Sequence, residues 1–122
     1  MNANSKIRVL IAEDHHIVRK ALAATLALEP DIEIVAEAAD GAEAVEKARA
    51  WRPDVVLMDI QMPRVTGIAA TRLIKLELPS IQVVMLTMME TDDMIFDALA
   101  AGAGGYLLKD AAEADILSAI DS

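Results

Sequence analysis

Polar side chains follow four apolar segments of this 122-residue chain, and together they could do chemistry. The segments end in Glu13-Asp14, Asp59, Thr87 and Lys109. Carboxylates that share one crevice repel each other unless a cation lies among them, and a ligand set made of oxygen suits a hard ion such as Mg²⁺. A lysine ammonium and a threonine hydroxyl beside such a cluster suit the oxygens of a phosphoryl group. The set therefore predicts a magnesium site beside a phosphoryl site, with Asp59 placed as a nucleophile toward phosphorus.

This interpretation depends on the strands and helices that would bring these residues together. Taken alone, any one of the polar residues is more simply explained as a strand end that has reached solvent. Short apolar runs alternate with helical segments, and turn residues separate them. The predicted strands cover residues 7–12, 32–36, 55–58, 81–86 and 105–108, and the predicted helices cover 16–28, 41–50, 68–77, 92–101 and the chain from 111 onward. This alternation indicates a doubly wound α/β fold, with a five-stranded parallel sheet between two layers of helices. Ligands of such sheets bind at the carboxyl ends of the strands, where the polar residues would lie.

Composition excludes several classes of partner. Twenty acidic residues against eleven basic ones give a net charge of −9, which opposes direct binding of this chain to nucleic acid. With one phenylalanine, one tryptophan and one tyrosine, the chain has no aromatic platform for bases or a flat cofactor. The sequence has no cysteine, no apolar stretch of membrane-spanning length and no leader-like start, so we expect a cytoplasmic protein without a membrane partner.

Four spaced motifs give the chain a family resemblance over essentially its whole length. Residues 9–15 read VLIAEDH, residues 54–63 read DVVLMDIQMP, residues 85–87 read MLT and residues 101–110 read AGAGGYLLKD. Together they resemble the receiver domain of bacterial two-component response regulators. His15 and the segment around Lys109 are similar to the subgroup whose receivers precede a LuxR-type helix-turn-helix domain.

The resemblance implies a flavodoxin-like sheet of strand order 2-1-3-4-5 and a chemical role for each acidic residue. Asp59 would accept a phosphoryl group from a sensor histidine kinase in a reaction that needs Mg²⁺. Asp14, Asp59 and the backbone carbonyl of Gln61 would ligate the ion, and Glu13 would act through a metal-bound water. We expect no enzymatic activity beyond self-phosphorylation from a phosphodonor and slow autodephosphorylation.

The resemblance also implies how the signal would leave the site. Thr87 and Lys109 would contact the phosphoryl oxygens, and Tyr106 would rotate inward in response. The surface of the fourth helix, fifth strand and fifth helix would then change, and a weak homodimer would form. We expect residues 1–122 to be one receiver domain at the N-terminal part of a longer regulator, which would reach DNA only through a C-terminal helix-turn-helix domain.

Competing functions have sequence requirements that this chain does not meet. A phosphohydrolase with an aspartyl-phosphate intermediate would need a carboxylate two residues after the nucleophile, where this chain has Gln61. A flavin or nucleotide module would need a phosphate-binding loop after the first strand, where Glu13-Asp14 would repel phosphate. A receiver that works without phosphorylation would usually have lost an acidic or lysine position, and none is missing.

Two other features lie near the predicted site. The pair His15-His16 suggests a metal site, but adjacent residues at the start of a helix point in different directions, which argues against joint ligation. Met88 follows the predicted switch threonine at a position that is usually small in this family. With Met89, it predicts a long-lived phosphorylated state, because Met89 would not hold the attacking water and Met88 would add bulk on the path of that water.

Overall fold

The structure is a computed structural model, which describes residues 6–60, 62, 65–87, 96–97, 99–108 and 120. Five parallel strands form one sheet in the order β2-β1-β3-β4-β5. The strands are β1 (Ile7–Ala12), β2 (Ile32–Ala38), β3 (Val55–Asp59), β4 (Gln82–Thr87) and β5 (Gly105–Leu108). The predicted doubly wound sheet and its strand order 2-1-3-4-5 are therefore confirmed.

Three helices lie between the strands: α1 (His16–Ala27), α2 (Gly41–Trp51) and α3 (Gly67–Glu77). Within the predicted fourth helix, residues 96, 97, 99 and 100 are helical, and its first four residues lie outside the described part of the chain. Of the predicted fifth helix only Ile120 is described, and it is helical and buried. The rest of that segment stays a prediction.

Strands β2 and β3 are longer at their carboxyl ends than the sequence indicates, and β4 lies one residue later than predicted, at Gln82–Thr87. We expected the second strand to end at residue 36, but β2 continues to Ala38, which pairs with Ala12 of β1. The third strand includes Asp59, which pairs with Leu86 of β4. In both cases the pairing with a neighbouring strand continues past the last residue of the apolar run. Asp59 is thus part of the sheet rather than of the loop that follows it.

The core lies on both faces of the sheet, as expected for strands that are covered on each side. On one face, side chains of the sheet pack with residues of α2 and α3, and this group includes Leu10, Val56, Val83, Ala44, Ala48 and Ile74. On the other face, Val9, Leu57 and Val84 pack with Leu26 of α1 and with Ile120. Every residue of β3 is buried, so this strand is held from both sides.

Side-chain caps begin two of the helices. The carboxylate of Asp40 accepts a hydrogen bond from the backbone N–H of Glu43 at 2.8 Å, and Glu43 in turn accepts from the N–H of Ala39 at 2.7 Å. This reciprocal pair satisfies donors that the start of α2 would otherwise leave without helical partners. Thr66 caps α3 through the N–H of Ala69. By contrast, the residue before α1, His15, makes no side-chain capping hydrogen bond.

Gly67 allows the loop after β3 to close tightly. Its N–H donates to the carbonyl oxygen of Ile60 at 2.8 Å. A Cβ atom at this position would overlap the carbonyl oxygen of Asp59 and lie 2.9 Å from the Cα of Ile60. Those atoms belong to the backbone and cannot turn away as a flexible side chain can. A side chain at position 67 would therefore push the start of α3 away from the end of β3.

We expect Gly67→Ala to lower the free energy of unfolding by about 1–3 kcal/mol, the usual cost of overpacking a tight site. Gly105→Ala is the matched control, because a Cβ at position 105 would meet no atom within 4 Å. That change should stay within about 0.5 kcal/mol of the parent. Urea denaturation followed by circular dichroism measures both, and equal stability of the two variants would contradict the close approach at Gly67.

Candidate metal centre

Three carboxylates and one imidazole meet at the carboxyl ends of the two central strands. Glu13, Asp14 and His15 follow β1, and Asp59 ends β3, which pairs directly with β1. Each of the four residues offers a ligand atom, and these atoms all lie within 4.8 Å of one another. Glu13 and Asp59 are buried, with 0% and 2% of their surfaces exposed. The predicted convergence of the three carboxylates on one crevice is thus found in the structure.

The position of Glu13 is held by three of its neighbours. Its backbone N–H donates to the carbonyl of Ala38 at 2.9 Å, and its own carbonyl accepts from Nη1 of Arg19 at 2.8 Å. Its carboxylate Oε2 accepts from the backbone N–H of His15 at 3.0 Å. Strand β2 and helix α1 therefore both fix the position of this buried carboxylate.

Arg19 is itself held by groups on α1 and β2. Its Nε lies 3.2 Å from Oε1 of Glu37, and its Nη2 lies 3.1 Å from Nδ1 of His16. Lys20 shares Glu37, with its Nζ 3.1 Å from the same oxygen. Arg19 is mostly buried, whereas Lys20 is half exposed. Arg19 therefore joins the acidic pair to a charged network that the sequence analysis did not identify.

The ring of His15 faces the carboxylates. Its Nδ1 lies 3.1 Å from Oε2 of Glu13 and 3.4 Å from Oδ1 of Asp14, while 65% of its side chain is exposed. The expectation that the two histidines diverge agrees with this geometry, because His16 contacts Arg19 instead. Sequence reasoning nevertheless left His15 out of the site. Its place directly after the acidic pair was the signal that could have included it.

The acidic residues suit a divalent cation. The Oδ1 atom of Asp14 is buried and has no hydrogen-bond partner among the residues that the structure describes. A buried carboxylate oxygen costs free energy unless a donor or a cation compensates it. Oxygen ligands are those that Mg²⁺ prefers. The cluster therefore fits the magnesium ion that the sequence predicts.

Other predicted site residues are only partly described. Thr87 ends β4 and pairs with Leu108 of β5, but its side chain lies outside the described part of the structure. Tyr106 lies on β5, opposite Met85 of β4, and is half-buried against the core on the α2 and α3 face. The remaining residues lie outside the described ranges, and their roles stay predictions: Gln61, Lys109, Met88 and Met89.

Comparison with known families identifies the class of protein. The family model described as the response regulator receiver domain matches residues 9–121. The chain therefore belongs to the response regulator receiver domain family.

No helix in the described ranges combines the length and the apolar character needed to cross a membrane.

Individual relatives agree with this family. The chain is 45% identical over 114 residues to the transcriptional regulatory protein LnrK of Bacillus subtilis, covering 93% of this chain and 52% of that protein. It is 46% identical over 114 residues to LiaR of the same organism, covering 93% and 54%. The chain thus spans about half the length of the curated relatives that it matches.

Solved structures show the same fold. A two-component response regulator of the LuxR family from Aurantimonas superposes with a TM-score of 0.90 at 35% identity, covering 96% of this chain and 84% of that one. A DNA-binding response regulator of the LuxR family from Staphylococcus aureus gives 0.89 at 27% identity, covering 94% and 96%. The resemblance to receivers of LuxR-type regulators is therefore confirmed.

We expect Arg19→Met to weaken Mg²⁺ binding by about tenfold, the lower end of what supporting residues contribute to metal affinity. Methionine keeps much of the length of the side chain but cannot donate to the Glu13 carbonyl. Lys20→Met is the matched control, because it also removes a cation from Glu37. Isothermal titration calorimetry measures both affinities. Equal losses in the two variants would assign the effect to net charge rather than to the contact with Glu13.

Proposed function

We propose that this chain is a phosphorylation-controlled switch in which Asp59 accepts a phosphoryl group from a sensor histidine kinase. The observation that carries the proposal is the place of Asp59 at the end of a buried central strand, in one cluster with Glu13 and Asp14. Membership of the receiver domain family supports a two-component system as the setting.

Asp59 would act as the nucleophile in this transfer. A carboxylate oxygen of Asp59 attacks the phosphorus of the phosphohistidine, a P–O bond forms, and the P–N bond breaks as the imidazole nitrogen leaves with the electron pair and takes up a proton. The backbone around Asp59 is fixed by pairing with β4 and by the bond from the N–H of Ile60 to the carbonyl of Leu86 at 3.0 Å. A nucleophile that is already held in place loses little freedom on the way to the transition state.

Asp14, Asp59 and the backbone carbonyl of Gln61 would hold Mg²⁺ directly, and Glu13 would hold it through a water. When bound, the ion supplies positive charge that offsets the negative charge on the transferring phosphoryl oxygens. The residues of this chain would fix the position of the ion, because Glu13 is held by its hydrogen bonds to β2 and α1. The ammonium of Lys109 and the hydroxyl of Thr87 would contact the phosphoryl oxygens from the other side.

The output of the switch would be a change in the surface around the predicted fourth helix, β5 and the predicted fifth helix. Phe96 and Leu99 are three residues apart in helical conformation and are 71% and 52% exposed. Side chains at this spacing lie on one face of a helix, and exposed apolar side chains of this kind suit contact with a partner. Tyr106 on β5 would rotate inward when Asp59 is phosphorylated.

The partner downstream would be a DNA-binding domain of the same regulator. The matched relatives are named as transcriptional regulators and are about twice as long as the matched region. This chain carries a net charge of −9, so a separate helix-turn-helix domain would have to make the contacts with DNA.

Within the receiver domain, chemistry would be limited to self-phosphorylation and slow autodephosphorylation. The glutamine at position 61 disfavours a phosphohydrolase, which would need a carboxylate there.

Asp59→Asn should abolish phosphorylation by acetyl phosphate and Mg²⁺, because the amide is not a nucleophile toward phosphorus. The measurement is the mass of the intact chain, which should rise by one phosphoryl group in the parent but not in this variant. Asp54→Asn is the matched control and should be phosphorylated like the parent, because Asp54 precedes the same strand at its other end, is exposed and accepts a bond from the N–H of Arg8. A phosphoryl group on the D59N chain would show that the acceptor is another residue.

Phosphorylation should also produce weak self-association of the chain. Beryllium fluoride with Mg²⁺ mimics the phosphorylated state at Asp59, so sedimentation velocity should show a concentration-dependent shift toward a dimer in the parent. The D59N variant should remain unchanged under the same conditions.

We place the dimer surface on the fourth helix, β5 and the fifth helix, with the first and fifth helices as the alternative. Ile17 on α1 is 82% exposed. Ile17→Ser should reduce dimer formation only if the first and fifth helices form the dimer surface, so this variant distinguishes the two surfaces. A monomer at all concentrations would count against association of this domain.

A further inference from the structure

His15 lies in the metal centre although the family resemblance gives it no part in metal binding. Its Nδ1 is within 3.1 Å of Glu13 and 3.4 Å of Asp14, and it is the only nitrogen ligand in the cluster of four described residues. Imidazole is a preferred ligand of Zn²⁺ and of neighbouring transition ions, whereas Mg²⁺ prefers oxygen. We therefore expect the imidazole ring of His15 to influence which metal ion binds at this centre.

The two distances from the ring nitrogen of His15 to the carboxylates are close to those in a coordination sphere. Two ligands with bonds of about 2.1 Å to one ion lie about 3.0 Å apart at a right angle and about 3.4 Å apart at a tetrahedral angle. The distances from the ring nitrogen to the two carboxylates, 3.1 and 3.4 Å, are in this range. All four ligand atoms lie within 4.8 Å of one another, so each would have to move inward by at most about 1 Å to reach one ion.

His15 can also turn without breaking the start of α1. Its side chain makes no capping hydrogen bond to the helix, and most of the ring is exposed. Its backbone N–H, which donates to Glu13, stays in place whichever way the ring points. Either ring nitrogen could therefore be presented to an ion while the support of Glu13 is kept.

We propose that His15 is a metal-selecting residue, which joins the carboxylates when Zn²⁺ or a similar imidazole-preferring ion occupies the centre. This rests on the metal centre of the proposed function. Zn²⁺ with four protein ligands forms a closed tetrahedral site, whereas a reactive site keeps a position open. With Glu13, Asp14, Asp59 and His15 around the ion, no position is left for a phosphodonor. Zn²⁺ therefore competes with Mg²⁺ and keeps Asp59 unphosphorylated.

The test is the affinity of the chain for each ion, measured by isothermal titration calorimetry without any phosphodonor. His15→Asn should weaken Zn²⁺ binding by at least about tenfold and change Mg²⁺ binding by less than about threefold. His16→Asn is the matched control, because it removes a histidine from the adjacent position that contacts Arg19. This control should affect the two ions alike, because it can reach the centre only through the support that Arg19 gives to Glu13, whereas His15→Asn should act on Zn²⁺ selectively. Asp14→Ala should weaken the binding of both ions.

Several outcomes would overturn the proposal. They are an unchanged Zn²⁺ affinity in the H15N variant, an equal loss in the H15N and H16N variants, or a loss of Mg²⁺ affinity as large as that of Zn²⁺. Zn²⁺ binding that survives Asp14→Ala would place the ion elsewhere. Independently of any variant, the ring ¹⁵N resonances of His15 in the parent should shift much more on addition of Zn²⁺ than of Mg²⁺. Equal shifts with the two ions, or none with Zn²⁺, would also overturn the proposal.

Phosphorylation assays separate this inference from the proposed function. With acetyl phosphate and Mg²⁺, added Zn²⁺ should slow the gain of one phosphoryl group in the parent, and it should do so much less in the H15N variant. If neither chain is phosphorylated with Mg²⁺ alone, the proposed function fails while the Zn²⁺ affinities still decide the role of His15. If both are phosphorylated and Zn²⁺ slows them equally, His15 does not select the metal.

Discussion

The burial of the Glu13 carboxylate is the constraint on which the rest of this site depends. A carboxylate removed from water loses several kcal/mol of solvation, and neighbouring carboxylates add repulsion to that cost. Here the backbone N–H of His15 compensates one oxygen, and a cation in the crevice would compensate the group as a whole. Because the backbone of Glu13 is bonded to Ala38 and to Arg19, the chain cannot relieve the repulsion by shifting the end of β1. The same bonds keep the carboxylates close enough together to share one ion.

Asp59, the proposed nucleophile, is held by different means. Asp59 belongs to a strand whose residues are all buried, and the chain turns away directly after it, with Gly67 close against the backbone of Asp59 and Ile60. Gly41 plays a similar part at the start of α2, where a Cβ would overlap the carbonyl oxygen of Val65. Two glycines therefore let α2 and α3 approach the loop that follows β3. This packing fixes the described ends of that loop, at Ile60 and Gly67.

The features that the sequence predicted correctly depend on the backbone alone. Alternation of apolar runs with helical segments predicts parallel strands, and their carboxyl ends must then share one edge, which brings Asp59 to Glu13 and Asp14. The features that it missed depend on side-chain rotamers and on residues distant in the sequence. Nothing in the order of residues shows that Arg19 reaches back to the Glu13 carbonyl with Glu37 as its counterion. The only sequence signal that His15 faces the acids was its place directly after them. The two extra residues of β2 were missed because Glu37 interrupts the apolar run, although the sheet pairing continues past it.

The sheet also limits how a change at Asp59 can reach the surface. Asp59 pairs with Leu86 of β4, and Thr87 and Met85 of β4 pair with Leu108 and Tyr106 of β5. Strands β3 and β4 are paired with a neighbour on each side, and a close-packed interior does not deform gradually. Under the proposed function, a local event at Asp59 would therefore reach β5 through side chains that change between discrete positions, rather than through bending of the sheet. Tyr106 on the edge strand β5 is half-buried, whereas the side chains of β3 are all buried. The rigidity that holds the acidic residues together is thus also the reason why the response should appear at the β5 edge.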